Sequence, residues 1–86
     1  MSNDEADTEI SAAVRAAVAQ LLGGPDVAGS DNFFELGGHS MLAAQLLRAL
    51  EPTLGFRPAL RHVFEAVDLD ELSARLSADA EEHARR

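Results

Sequence analysis

The chain has 86 residues, three scattered histidines and no cysteine, so it forms one small domain without a disulfide framework or a recognisable metal site. Its formal net charge of -8 argues against nucleic acid as a partner, because phosphate contacts need a basic face. No apolar run approaches the roughly 20 residues that span a bilayer, and the acidic N-terminus lacks the apolar stretch of a signal peptide, so we expect a cytoplasmic protein without a membrane partner.

The first predicted element is a helix over about residues 8–22. Its apolar residues recur at the spacing of one helical face: Ile10, Val14, Val18, Leu21 and Leu22. We expect Asp7 or Thr8 to cap its start and the Gly-Gly-Pro run at 23–25 to end it. Residues 1–7 carry nothing to bury and are predicted to form a flexible arm.

A connection over residues 23–39 follows, which is longer than the usual loop between helices. Phe33 and Phe34 predict that it packs onto the helices instead of being disordered, and the Asp-Asn pair before them favours an Asx turn. Gly37 and Gly38 end the loop and free its backbone for conformations that a β-carbon would forbid.

The second helix is predicted from about Ser40 to Leu50, closed by Pro52 and Gly55. The residues expected on its buried face are Leu42, Leu46, Ala49 and Leu50. The residues expected on its other side are Met41, Ala44, Gln45 and Arg48. Because helix boundaries are uncertain by a few residues, a position in the core is the alternative for Met41.

A short helix is predicted around residues 59–65, with an apolar face of Leu60, Val63 and Phe64. Asp68 and Glu71 form a capping-box-like start for a last helix, whose apolar stripe is Leu69, Leu72 and Leu76. The charged residues 80–86 are predicted to fray. With no strand pattern, the sequence predicts an all-α bundle of three main helices plus one short helix, with its structured core at about 8–79 of a single 1–86 domain.

Three roles are open to Ser40, at the predicted start of the second helix. Serine is among the best helix N-caps. A nucleophile is disfavoured, because Gly38-His39-Ser40-Met41-Leu42 lacks the second glycine of a nucleophile elbow and no third group orients His39, so no catalytic residue is assigned. Covalent modification accounts for more features, since a helix N-terminus suits a phosphate diester and the glycines give a modifying enzyme access.

The stretch Asp-Asn-Phe-Phe-Glu-Leu-Gly-Gly-His-Ser at 31–40, followed by Met-Leu-Ala-Ala-Gln-Leu, resembles the phosphopantetheine attachment motif of carrier proteins. It is most similar to the peptidyl (aminoacyl, thiolation) carrier domains of nonribosomal peptide synthesis, over about residues 8–79. The resemblance implies a four-helix carrier fold in which Ser40 receives 4′-phosphopantetheine from coenzyme A, with Gly37, Gly38 and His39 as its motif neighbours. Such a carrier is not an enzyme: it holds an acyl, aminoacyl or peptidyl group as a thioester.

The resemblance also implies a set of partners. They are a Mg²⁺-dependent phosphopantetheinyl transferase, an adenylating or loading enzyme, and downstream condensation, tailoring or thioesterase enzymes. Tethering raises the concentration of the cargo at each of their active sites. We expect a monomeric, freestanding carrier, because no catalytic domain adjoins this one in the chain. A domain excised from a larger synthetase is the alternative.

The type of carrier is indicated by charge. Acyl carriers of fatty acid synthesis typically have Asp-Ser-Leu at the site and an acidic second helix, whereas here His39 precedes the serine and residues 41–50 contain no acid. The expected partner surface is therefore apolar and weakly polar, formed by Met41, Ala44 and Gln45 with Arg48 at its rim, which favours the peptidyl type.

One departure from the family is that Ala66-Val67-Asp68 lacks the usual proline-threonine pair, and we expect only local consequences. Two alternatives stay open. One is an acyl carrier of a polyketide or related pathway. The other, from a different class, is an acidic helical interaction module in which Ser40 is only a helix cap.

Overall fold

The computed structural model describes residues 4–24 and 26–85, with side chains from Glu9 onward. Over these residues the chain folds into four helices and no strand: α1 (Asp4–Leu21), α2 (Ser40–Leu54), α3 (Arg61–Glu65) and α4 (Leu69–Ala84). The predicted all-α bundle of three main helices and one short helix is confirmed. None of the described helices is long and apolar enough to cross a membrane.

Helix α1 packs against both α2 and α4, and α3 contacts α4. The core lies between their apolar faces, and its most completely buried side chains are Val14, Val18, Leu46, Leu50, Val63, Leu69, Leu72 and Leu76. Burial of one such side chain stabilises the fold by about 1.5–3 kcal/mol. The predicted apolar stripes of the first and last helices therefore contribute to the core, together with residues of α2 and α3.

Helix α1 begins earlier than predicted. It starts at Asp4, so the expected N-cap at Asp7 or Thr8 is wrong, and residues 4–7 belong to the helix and not to an arm. Residues 1–3 lie outside the described part of the chain.

The end of α1 is close to its predicted position. Gly23 and Gly24 adopt left-handed backbone angles, with φ of 102° and 103°. The N–H of Gly24 donates to the carbonyl of Ala19 at 2.6 Å, so the glycines turn the chain back on the last helical carbonyls. Pro25, the third member of the predicted stop, lies outside the described residues.

Helix α2 continues past its predicted end at Leu50 and stops at Leu54, with Pro52 inside it. In the last turn a proline leaves only one carbonyl of the preceding turn without a helical donor, and Pro52 is exposed to solvent. Half-buried Leu54 packs against the core and favours continuation of the helix. Gly55 then ends the helix as predicted, with φ of 83°.

The buried face of α2 differs from the predicted one. Leu46 and Leu50 are buried as expected, but Ala49 is exposed and Leu42 is only half-buried. Ala43 and Leu47 are buried in their place. The sequence did not decide between the two faces, because leucines lie on both and either set has helical spacing.

Helix α3 is shorter than predicted and begins at Arg61. Of its expected apolar face only Val63 is buried, whereas Leu60 and Phe64 are 40% and 49% exposed. The second inward-facing side chain is His62, which is 6% exposed. Its Nε2 lies 2.6 Å from Oδ2 of Asp79, so a polar contact with α4 holds this helix, in addition to apolar packing.

Helix α4 starts as predicted, with Oδ1 of Asp68 accepting the N–H of Glu71 at 2.8 Å. It extends to Ala84, so the predicted fraying from residue 80 is wrong for the described residues, which stop before Arg86. The ring of His83 lies 3.9 Å from that of Phe56, measured between centroids. This contact with the segment after α2 stabilises the last turn.

Candidate functional site

The loop before α2 is shaped by the side chain of Asn32. Its Oδ1 accepts the N–H groups of Phe34 and Glu35 at 2.8 and 3.0 Å, which is the predicted Asx turn. Its Nδ2 donates to the carbonyl of Val67 at 2.9 Å. One amide therefore forms the turn and ties it to the segment that precedes α4.

Two backbone hydrogen bonds strengthen this tie. The N–H of Leu69 donates to the carbonyl of Asp31, and the N–H of Asp70 donates to that of Gly29, both at 2.9 Å. These donors belong to the first turn of α4, where a helix has no internal acceptors for them. A β-carbon on Gly29 would meet the carboxylate of Asp70, an exposed side chain that would have to move aside, so the two segments approach closely here.

The two phenylalanines connect the loop to different parts of the fold. Phe33 is buried in the core, and the ring of Phe34 meets it edge-on with centroids 5.3 Å apart. On its other side Phe34 stacks on Phe64 of α3, at 5.3 Å and an interplanar angle of 15°. Half-exposed Phe64 is thus a loop support, a role that its helical spacing did not indicate.

The glycines at the end of the loop have different requirements. Gly37 has φ of 110°, in the left-handed region that favours glycine. A β-carbon on Gly38 would overlap the ring of Phe33, so this position needs the absence of a side chain. The N–H groups of Gly37 and Gly38 donate to the carbonyls of Phe34 and Phe33 at 3.1 and 3.0 Å, and this turn leads directly into α2.

Ser40 is the first residue of α2, and it is exposed. The N-cap is His39, whose backbone is extended with φ of -149° and ψ of 177° and whose side chain makes no capping hydrogen bond. The carbonyl of His39 accepts the first helical N–H, from Ala43, at 2.8 Å. The interpretation of Ser40 as the helix cap is therefore wrong, because a cap residue needs the extended backbone that His39 has.

The start of α2 favours a negative group. No side chain caps it and its first turn contains no acidic residue. Its first N–H groups and the positive end of its dipole are thus available to an anion at this end. A phosphate ester on the hydroxyl of Ser40 would lie beside them and meet no opposing carboxylate in that turn, so the residues present fit such a group.

The side chains expected to contact a partner all face solvent. Met41 is 68% exposed, so its alternative position in the core is wrong. Ala44, Gln45 and Arg48 are exposed as well. The residues that line a cavity of about 160 Å³ beside α2 are Ala44, Leu47, Arg48, Glu51, Arg57, Pro58 and Leu60. The structure thus joins Ala44 and Arg48 in one groove, whereas Met41 and Gln45 lie outside it.

The groove has a wall that the sequence did not reveal. Pro58 and Leu60 come from the segment between α2 and α3, and Arg57 precedes them. No periodic pattern connects these residues with α2, because they reach it by tertiary packing. The only local sign of the groove in the sequence is Leu47, whose apolar side chain did not fit the predicted apolar stripe of α2.

Comparison with known proteins identifies related sequences. Residues 12–76 match the family described as "Phosphopantetheine attachment site". The chain is 40% identical over 60 residues to a component of the linear gramicidin synthase of Brevibacillus parabrevis, which covers 70% of this chain and 1% of that protein. It is 35% identical over 66 residues to a probable non-canonical nonribosomal peptide synthetase, CymA, of Salinispora arenicola, which covers 77% of this chain and 1% of that protein.

A third relative is the Phosphinothricin tripeptide synthetase PhsB of Streptomyces viridochromogenes, 45% identical over 47 residues, which cover 55% of this chain and 4% of that protein. The chain therefore spans only a small part of the length of the curated relatives it matches.

Proposed function

This chain belongs to the phosphopantetheine attachment family, whose members carry covalently bound 4′-phosphopantetheine, and we propose that it is a peptidyl carrier with Ser40 as its attachment residue. The observation that carries this assignment is the exposed hydroxyl of Ser40 at the first position of a helix that His39 caps through its backbone. Because capping does not engage this hydroxyl, it is available to a modifying enzyme.

When bound, the group supplies a terminal thiol on which an aminoacyl, peptidyl or acyl cargo is held as a thioester. The residues of this chain position and stabilise the attachment point. Gly37 and Gly38 precede Ser40 and have no side chains that could block access to its hydroxyl. The N–H groups of the first turn of α2 would stabilise the phosphate. The carrier delivers the tethered cargo to its partners' active sites, and we assign it no catalytic residue.

The peptidyl type is supported by two independent features. The relatives described above are named as a linear gramicidin synthase, a nonribosomal peptide synthetase and a tripeptide synthetase. The first turn of α2 contains no acid, and Met41, Ala44, Gln45 and Arg48 are exposed along the helix. We therefore propose an adenylating enzyme as the loading partner, a phosphopantetheinyl transferase as the modifying enzyme, and condensation, tailoring or thioesterase enzymes downstream.

Intact-mass measurement tests the attachment site. Incubation with coenzyme A, Mg²⁺ and a promiscuous phosphopantetheinyl transferase is expected to add one phosphopantetheinyl group. The addition should be absent in Ser40→Ala and retained in Ser30→Ala, a matched change at an exposed serine of the loop that precedes α2. An unchanged mass of the natural protein would contradict the proposal and favour an interaction module.

A second measurement tests the cargo class. The holo protein is incubated with ATP, an amino-acid mixture and an adenylating enzyme, or with malonyl-coenzyme A and an acyltransferase. An aminoacyl adduct supports the peptidyl type, whereas acylation only by the acyltransferase supports a carrier of a polyketide pathway.

A further inference from the structure

The groove beside α2 has an apolar floor. Ala44 and Leu47 contribute to it from α2, and Pro58 and Leu60 from the opposite wall. Leu47 and Pro58 are buried, whereas Leu60 is 40% exposed. An apolar side chain of another molecule entering the groove would cover these surfaces, and burial of such a side chain is favourable.

The rim of the groove carries more positive than negative charge. Arg48, Arg57 and Glu51 line it, and Nε of Arg57 lies 2.9 Å from Oε2 of Glu51. The side chain of Arg57 remains 78% exposed in that pair, so solvent screens it strongly. Among the ion pairs of the described residues none involves Arg48, which leaves one guanidinium at the rim without a carboxylate.

This charge is opposite to that of the whole chain, which has a formal net charge of -8. A second opening on the same surface repeats Arg48, Arg57 and Glu51 among its lining residues, so there too two guanidinium groups face one carboxylate. Both arginines therefore present their charge over a continuous part of the surface. Attraction there is set by the nearest groups, because charges farther away than about 8–10 Å are largely screened at physiological salt.

We propose that this groove binds an acidic, amphipathic segment of a partner enzyme, with an apolar side chain on the floor and carboxylates against Arg48 and Arg57. The proposal rests on the proposed carrier function, since Ala44 lies one helical turn beyond Ser40 and a segment seated here would place a partner beside the attachment point. The local excess of guanidinium groups over one carboxylate selects an acidic segment over a basic one.

Two peptides test the selectivity. The probes are acetyl-Glu-Leu-Glu-Phe-Glu-amide and its counterpart with lysine in place of each glutamate, titrated into ¹⁵N-labelled apo protein. The acidic peptide is expected to shift the amide signals of Ala44, Leu47 and Leu60 and to bind there about fivefold more tightly, as expected from one to two exposed ion pairs. The net charge of the protein alone would favour the lysine peptide, so the two explanations give opposite results.

Matched variants locate the interaction. Arg48→Glu is expected to weaken the acidic peptide about fivefold or more. Arg61→Glu makes the same charge change at an exposed residue that does not line the groove, and it should weaken binding less than twofold. Equal or tighter binding of the lysine peptide at the groove amides, or equal losses in both variants, would overturn the proposal.

The same titration on Ser40→Ala separates this inference from the carrier function. Neither that variant nor the apo protein carries phosphopantetheine, so groove binding is measured without it. Binding of the acidic peptide together with failed loading of the natural protein would contradict only the carrier function. Successful loading without acidic selectivity would contradict only the proposed partner chemistry.

Discussion

The side-chain amide of Asn32 donates to the backbone carbonyl of Val67 at 2.9 Å, although the two residues are 35 positions apart in the chain. The carbonyl oxygen of the same amide accepts the N–H of Phe34 at 2.8 Å. The turn that leads to the candidate site is therefore positioned by a contact with the segment before α4. Two backbone hydrogen bonds from the first turn of α4 and the buried ring of Phe33 also hold this loop, so loss of the Asn32 amide is expected to weaken the support of Ser40 without abolishing it.

The first prediction concerns this amide. Asn32→Ala removes an acceptor for two N–H groups and the donor to Val67, so we expect a loss of about 1–3 kcal/mol in the free energy of unfolding. Asn32→Asp keeps the acceptor and loses only the donor, and it should fall between the natural protein and the alanine variant. Urea denaturation followed by circular dichroism measures both, and an unchanged midpoint in Asn32→Ala would refute the assigned role.

The second prediction concerns Gly38 and Phe33. A β-carbon at residue 38 overlaps the phenylalanine ring, so Gly38→Ala is expected to destabilise the fold by about 1–3 kcal/mol through overpacking. Phe33→Leu gives space to the new methyl group while it costs stability by itself. In a double-mutant cycle the combined loss should therefore be smaller than the sum of the single losses, and strict additivity would argue against the clash.

The third prediction concerns Met41, whose side chain is largely exposed beside Ser40. Met41→Glu is expected to leave helicity intact, because an acid in the first turn of a helix is compatible with its dipole. It should reduce kcat/KM for phosphopantetheinyl transfer about tenfold, or by about 1.4 kcal/mol, since it replaces an apolar contact with a charge next to the phosphate.

The control for Met41 is Ala78→Glu, which introduces the same charge at an exposed position on α4. Circular dichroism and the loading rate are measured for both variants. If Met41→Glu melts the fold, or if Ala78→Glu slows loading to the same extent, Met41 is not a partner contact.

The fourth prediction concerns the contact between His62 and Asp79, which holds α3 against α4 at 2.6 Å. The other ring nitrogen, Nδ1, is buried without a partner among the described residues. Asp79→Ala would leave both nitrogens unpaired, and we expect a loss of about 1–3 kcal/mol. Asp79→Asn preserves an acceptor oxygen and should lose less stability, and an equal loss in both variants would count against the hydrogen bond.

The parts of the fold that were correctly predicted depend on residues close together in the chain. The stripe of Leu69, Leu72 and Leu76 follows from the helical period, and the cap formed by Asp68 and Glu71 involves residues three apart. The predicted positions of the helix ends were less accurate, because the helix dipole and tertiary packing compete there with intrinsic helix propensity. Half-buried Leu54 accordingly lies inside α2 although Pro52 precedes it.

The position of Ser40 at the start of a helix was evident from the glycines before it and the apolar run after it. Whether it caps that helix depended on the backbone angles of His39, which the surrounding loop imposes. A serine in either position satisfies the same local pattern. The backbone conformation was therefore needed to distinguish an N-cap serine from a serine at the first helical position. Ser40 is at the first helical position, which leaves its hydroxyl available.

The groove beside α2 shows most clearly which features follow from the amino-acid sequence and which depend on tertiary packing. Amino-acid pattern alone was sufficient for the existence of the four helices, for the position of Ser40 at a helix start and for the absence of acids from residues 41–50, because each is a property of neighbouring residues. The meeting of Leu47 and Arg48 with Pro58 across two segments was decided only by packing. No local spacing encodes such a contact, since its energy comes from burying apolar surface shared by distant parts of the chain.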